Sequence, residues 1–164
     1  MKLQLKYFQN LDHTWSERLH DFDHNLLHSF FQVYTNLGSL HFTALLSLFI
    51  AHLGYFTLLI DLLIAVGISA GVTEILKLVF KRKRPENRDQ DIVVLQNLSF
   101  PSGHSAYAFA TSIALMTIPS MSVLPVLVAT LVAFSRVYLG QHYLSDVLAG
   151  ATIGTLVSYI VVVM

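Results

Sequence analysis

Long apolar runs broken by short polar stretches dominate the chain from residue 37 onward, and their lengths predict helices that cross a membrane. Five segments, near 37–53, 55–79, 103–119, 121–139 and 143–163, approach the ~17–25 residues that traverse roughly 30 Å of hydrocarbon at about 1.5 Å per residue. Pro119 and its polar neighbours in Ile118-Pro119-Ser120-Met121-Ser122 end one helix and begin the next, which predicts a tight antiparallel hairpin. Before residue 37 the pattern changes. Thr14 and Glu17 have the spacing of a capping box, and Trp15, Leu19, Phe22, Leu26, Phe30 and Val33 follow at steps of three or four. The other face carries Glu17, Arg18, His20, Asp21, Asp23, His24 and His28, too polar to meet lipid tails. Residues 1–36 are therefore expected to form an amphipathic helix in the membrane interface, anchored by Trp15. The expected fold is all-α: one membrane-embedded domain over 1–164, with an interfacial segment 1–36, a transmembrane core 37–163 and one long polar loop, 81–102.

Composition supports the membrane class. Only 12% of residues are charged and 54% are hydrophobic, against about 25% charged in soluble domains. The absence of cysteine excludes disulfides, thiolate nucleophiles and cysteine-based metal sites. The N-terminal stretch lacks a basic region followed by an uninterrupted apolar run and a small-residue cleavage site, so no cleaved signal peptide is expected. Small residues recur at four-residue steps at Gly67 and Gly71, at Ala106, Ala110 and Ala114, and at Gly150 and Gly154. That spacing predicts close helix packing inside one bundle.

If the helices alternate in direction, the N-terminal segment, the 81–102 loop and the junction near residue 140 share one membrane face. Ionisable groups near membrane helices are functional suspects because they need a wet cavity and a partner. Three stretches supply them: Lys77 to Pro85 (KLVFKRKRP), Pro101 to His104 (PSGH) and Ser135 to Asp146 (SRVYLGQHYLSD). Pro101, Ser102 and Gly103 lead into a helix whose free amides offer an anion site, with His104 in the first turn. His142 and Asp146 stand four apart, so on a helix the carboxylate would accept an imidazole N–H and leave the other nitrogen as nucleophile or base; a plain helix-surface pair fits the spacing as well. Lys77, Arg84 and Arg136 add cations suited to a tetrahedral oxyanion, and phosphate matches that charge better than one carboxylate.

These blocks resemble the signature of the type 2 phosphatidic acid phosphatase superfamily, K-x6-RP, PSGH and SR-x5-H-x3-D, with every position filled from Lys77 to Asp146. The resemblance implies that His142 attacks phosphorus and forms a phosphohistidine, that Asp146 orients it, and that His104 protonates the leaving oxygen and then activates water. Lys77, Arg84, Ser102, Gly103 and Arg136 would form the phosphate cradle. The scheme needs no metal and no cofactor. The implied partners are a lipid phosphate or diphosphate and the bilayer, not nucleic acid. Candidate substrates are undecaprenyl diphosphate, phosphatidylglycerophosphate, phosphatidic acid and a lipid A phosphate. A lipid phosphotransferase and a non-catalytic phosphate-lipid binding or transport protein are the alternatives.

Outside the signature, His20, His24 and His28 form an i, i+4, i+8 stripe that could hold a metal, and interfacial histidines beside head groups are the reading adopted. Glu74 is spaced to pair with Lys77 or, equally, to meet another span as a helix-packing acid, and Asp61 reads as a structural acid near the opposite face. The Lys81-Arg82-Lys83 run reads as a solvated basic loop. All ten lysines and arginines fall on the face of the proposed site, which by the positive-inside rule argues for a cytoplasmic site. The resemblance implies instead an inner-membrane protein whose site faces outward, and that placement is the expectation retained.

Overall fold

The computed structural model describes residues 12, 14, 25–85 and 98–164. Within them the chain forms α1 (Asn25–Tyr34), a 3-10 turn (Thr35–Gly38), α2 (Leu40–His52), α3 (Phe56–Phe80), α4 (Gly103–Leu115), α5 (Leu124–Tyr138) and α6 (Leu144–Val163). Among the described residues there is no strand, only an isolated antiparallel bridge between Lys83 and Leu98. Glu17 of the proposed capping box, the residues Trp15, Leu19 and Phe22, and two of the three striped histidines lie outside the described residues.

Among the described residues two helices, α3 and α6, are long and apolar enough to cross a membrane. A third crossing results if α1 with its 3-10 turn and α2, joined through a 57° bend, count as one broken span. Five full spans are therefore not what the helix lengths give. The segment expected at 37–53 begins its α-helix only at Leu40, because Ser39 caps it by accepting the Phe42 amide at 3.1 Å. The segment expected at 103–119 stops after 13 residues, about 20 Å of helix. The chain around Pro119 turns from Met116 to Val123, and α5 restarts with Pro125 in its first turn.

The short helix α4 is the centre of the bundle and packs against α3, α5 and α6. Its small residues make this possible: Ala106, Ala110 and Ala114 are fully buried. From α6, Gly150 and Gly154 face the Ser102 and Ala106 carbonyls so closely that an added Cβ would overlap those backbone atoms. Gly67 and Gly71 share the spacing but not the role, since a Cβ at either would meet nothing within 4 Å. The packing expectation thus holds for two of the three stripes. The sequence spacing is identical; which face of α3 turns inward decides, and the inward face carries Leu58, Leu62, Ala65, Val66, Ser69 and Thr73.

On α1, Leu26, Phe30 and Val33 point away from the bundle. Phe31 holds the helix to α5, its ring 4.9 Å from Tyr138 and 5.6 Å from Phe134 between centroids.

Candidate active site

Chain direction gathers the polar groups. The C-terminal ends of α3 and α5 and the N-terminal ends of α4 and α6 meet at one end of the bundle, tied together by the amide of Ser102 donating to the Asp146 carbonyl at 2.9 Å. At the end of α3, Lys77 pairs with Glu74 at 2.5 Å, one of the two outcomes its spacing allowed. Lys81 then adopts a left-handed conformation (φ 47°) and ends the helix. Lys83 bridges to Leu98 and the Ser99 amide donates to the Arg82 carbonyl at 2.7 Å, and Arg84 shares a pocket with the first residues of α4.

Ser102 caps α4. Its hydroxyl accepts from the Ser105 hydroxyl at 3.0 Å and, longer, from the Ser105 amide at 3.4 Å, and the residue is fully buried. Gly103 lies beside the Tyr107 hydroxyl, which a Cβ would approach to 3.1 Å. At the end of α5, Gly140 takes the positive φ of 67° that lets the chain reverse. The amides of Gln141 and His142 then both donate to the Arg136 carbonyl at 3.1 Å, folding His142 back against the helix end. Arg136 is itself buried, and its Nη1 donates to the Thr35 hydroxyl at 3.0 Å.

His142 therefore precedes α6 rather than standing on it, and this corrects the expected i, i+4 helix pair. Its Nδ1 lies 2.8 Å from the Ser99 carbonyl oxygen and 3.6 Å from the Asp146 carboxylate. A carbonyl only accepts, so Nδ1 carries the proton and Nε2 keeps its lone pair. Asp146 is fully buried and accepts the Tyr143 amide at 2.9 Å. Burial, then the positive charges of Arg136 and Arg84, hold the His142 imidazole well below its ordinary pKa, against the opposing pull of the Ser99 carbonyl. The ring is neutral at physiological pH.

Lys77, Arg84, Gly103, His104, Tyr107 and His142 line one cavity of about 200 Å³. Five of the eight residues singled out from sequence thus face a common space. Ser102, Arg136 and Asp146 stand behind it, in the cap of α4, at the end of α5 and in the first turn of α6. Tyr107 escaped the sequence reading, although it lies one turn beyond Gly103 on the same helix face. Ser99 and Thr35 gave no signal, because a main-chain acceptor and a lone threonine have none to give. Arg82 was misread: it is not a solvated loop cation but bonds Asp146 and Asp12, each at 2.7 Å.

Fold and pocket together define the class, an all-helical integral membrane protein with a small cationic pocket at one end of its bundle. Within that class the chain belongs to the PAP2 superfamily, whose sequence model matches residues 58–164. It is 34% identical over 107 residues to the undecaprenyl-diphosphatase of Sulfolobus acidocaldarius, covering 62% of this chain and 52% of that protein. Its fold matches the crystal structure of Aquifex aeolicus LpxE with a TM-score of 0.82 at 28% identity, over 94% of this chain and 96% of that one. A transmembrane PAP2-type phosphatidylglycerolphosphate phosphatase from Bacillus subtilis matches with a TM-score of 0.82 at 27% identity, over 94% of this chain and 84% of that one. The chain spans about half the length of the curated relatives it matches.

Proposed function

We propose that the protein hydrolyses a phosphomonoester or diphosphate on a membrane lipid through a phosphohistidine at His142. The observation that carries this reading is the neutral imidazole on the cavity wall, its Nδ1–H donating to the Ser99 carbonyl, beside Lys77, Arg84 and His104. Nε2 attacks the terminal phosphorus, its bond to the leaving oxygen breaks (the lipid's own oxygen in a monoester, the bridging oxygen in a diphosphate), and His104 gives that oxygen its proton. His104 then takes a proton from water, which attacks the phosphohistidine, releases phosphate and regenerates His142. Lys77, Arg84 and the amides at the start of α4 stabilise the equatorial oxygens, with Arg136 behind them. Ser102 serves this cradle as the cap that aims those amides.

The first substrates to test are undecaprenyl diphosphate and phosphatidylglycerophosphate, because similar proteins carry those names. Phosphatidic acid and a lipid A phosphate complete the panel. The reading includes five membrane passes, with short α4 and α5 counted as spans, and a site on the outer face of the cell membrane. Single cysteines at Lys83 and Ser122 test the sidedness with an impermeant label: reaction at Ser122→Cys alone from outside would reverse it.

The function is tested by phosphate release from the purified lipid panel, with chelator present and with His142→Ala beside the wild type. Release by the wild type and loss of roughly 10⁴-fold or more in the variant are expected. Lipid binding without any turnover would identify a non-catalytic binder. Phosphate recovered on a second lipid instead of in solution would identify a transferase.

A further inference from the structure

The best-connected polar cluster that the proposed reaction leaves unused lies behind His142 and centres on Arg82. Its Nη1 donates to Asp146 Oδ1 and to the Ser145 hydroxyl, each at 2.7 Å, and its Nη2 donates to Asp12 Oδ2 at 2.7 Å. The guanidinium lies 3.9 Å from the centroid of the Tyr143 ring. The main chain of the same residue acts on the other neighbour of His142. The Arg82 carbonyl accepts the Ser99 amide at 2.7 Å and the Ser99 hydroxyl at 3.3 Å, and the Ser99 carbonyl is the atom that accepts the His142 Nδ1–H hydrogen bond.

We propose that Arg82 is a positioning residue for the reaction proposed above, on which this inference rests: by fixing both Asp146 and Ser99 it holds His142 in the Nδ1–H tautomer with Nε2 toward the pocket. It is not among the residues that line the pocket. Each oxygen of Asp146 is engaged, Oδ1 by Arg82 and Oδ2 by the Tyr143 amide. The carboxylate is thereby kept at 3.6 Å from Nδ1, while the Ser99 carbonyl sits at 2.8 Å. With the guanidinium removed, the buried carboxylate has to take a proton or turn onto Nδ1 itself, and either event releases the ring from Ser99.

The geometry requires arginine. One planar fork reaches Asp146, Ser145 and Asp12 while its face lies over Tyr143; an ammonium is a point charge with no such plane. Asp12 closes the clasp by accepting the Ser145 amide at 3.0 Å and the Ser145 hydroxyl. Residue 12 is thereby tied to the first turn of α6.

Arg82→Gln, Arg82→Lys, Asp146→Asn and the double variant Arg82→Gln/Asp146→Asn test this, each purified in detergent with its thermal midpoint measured. Lys81→Gln controls for loss of charge from the same loop. Arg82→Gln should lower kcat about 10²-fold with KM nearly unchanged, as expected when a reacting group is displaced and binding is not. Arg82→Lys should recover little of the loss. The double variant should be no worse than the worse single one, since both act through one group. Lys81→Gln should match the wild type.

A second measurement does not depend on turnover. In nitrogen-15 spectra of histidine-labelled protein, the His142 signals, assigned by their loss in His142→Asn, should show protonated Nδ1 and bare Nε2 in the wild type. Arg82→Gln should mix the tautomers. A wild type that releases no phosphate would defeat the functional reading, and the spectra would still decide the role of Arg82. An unchanged tautomer in folded Arg82→Gln, or additive losses in the double variant, overturns the proposal. Should Arg82→Gln not survive purification, Arg82→Lys decides: it keeps the charge and loses the fork, so a wild-type tautomer and kcat in it overturn the proposal equally.

Discussion

The end of the bundle that carries His142 and the opposite end, around Asp61 and Pro119, both enclose a cavity, and they differ in what lines it. The far cavity measures about 480 Å³ and is lined by Gly54, Tyr55, Phe56, Thr57, Leu58, Asp61, Thr117, Ile118 and Pro119. Among the described residues it contains a single carboxylate and neither a histidine nor a cation. The near cavity is about 200 Å³ and contains two histidines, a lysine and an arginine. The two lie along the same helix, α3, separated by the roughly 24 Å between Asp61 and Lys77. The larger volume therefore lies at the less polar end; what sets the near end apart is the convergence of charge from four helix ends.

The strongest test of that contrast removes the second histidine of the near end. His104→Gln should reduce kcat by about 10²–10⁴-fold, the usual contribution of a positioned general acid, measured with the best substrate of the panel. A loss below about tenfold would take His104 out of the proton path. A smaller effect is expected from the packing that supports the near end. Gly150→Ala sets a methyl against the Ser102 carbonyl and should cost about 1–3 kcal/mol, read as a lower thermal midpoint in detergent. Gly67→Ala, which meets nothing, should leave that midpoint unchanged or slightly raised.

Acid should weaken the near end more gently. The folded-state pKa of His142 is depressed by burial and by neighbouring arginines, so below the unfolded value of about 6.5 the unfolded chain binds more protons than the folded one. This contribution to stability is complete above about pH 6.5 and is lost as pH falls toward the folded-state value. The thermal midpoint of the wild type should drop on acidification, and His142→Asn should lack that part of the drop. At the far end the expected effect is smallest. Asp61→Asn should leave turnover within about twofold of wild type, the range of a surface or structural substitution; a larger loss would mean that the far cavity takes part.

The positions of the site were legible because three short blocks each carry a mechanical signature: a cap before a helix, a histidine and an acid at fixed spacing, and cations beside proline. What those blocks bond to was less legible. His142 was expected to lean on Asp146 along a helix, yet Gly140 reverses the chain and leaves His142 on the Ser99 carbonyl. Arg82 was hidden inside a run of like charges, where nothing local tells a buried guanidinium from a solvated one. Helix type and order were readable from apolar runs. Helix length was only partly readable: Pro119 and its neighbouring serines mark the break, yet one helix already ends at Leu115 and the next starts only at Leu124, short of the predicted bounds on both sides.

The bonds that build the site also fix the order in which it can come into being. Ser99 and His142 are 43 residues apart, Arg82 and Asp146 are 64, and Thr35 and Arg136 are 101. Contacts of such separation form only after the intervening chain has been made and inserted, and they pay their loop-closure cost first. During synthesis His142 leaves the ribosome after every helix except α6, and it acquires its acceptor only when the first turn of α6 has docked against the cap of α4 through Ser102. His142 is thus the last of the pocket-lining residues to be set, and a partly inserted chain holds the cations of the pocket wall before His142 meets the Ser99 carbonyl.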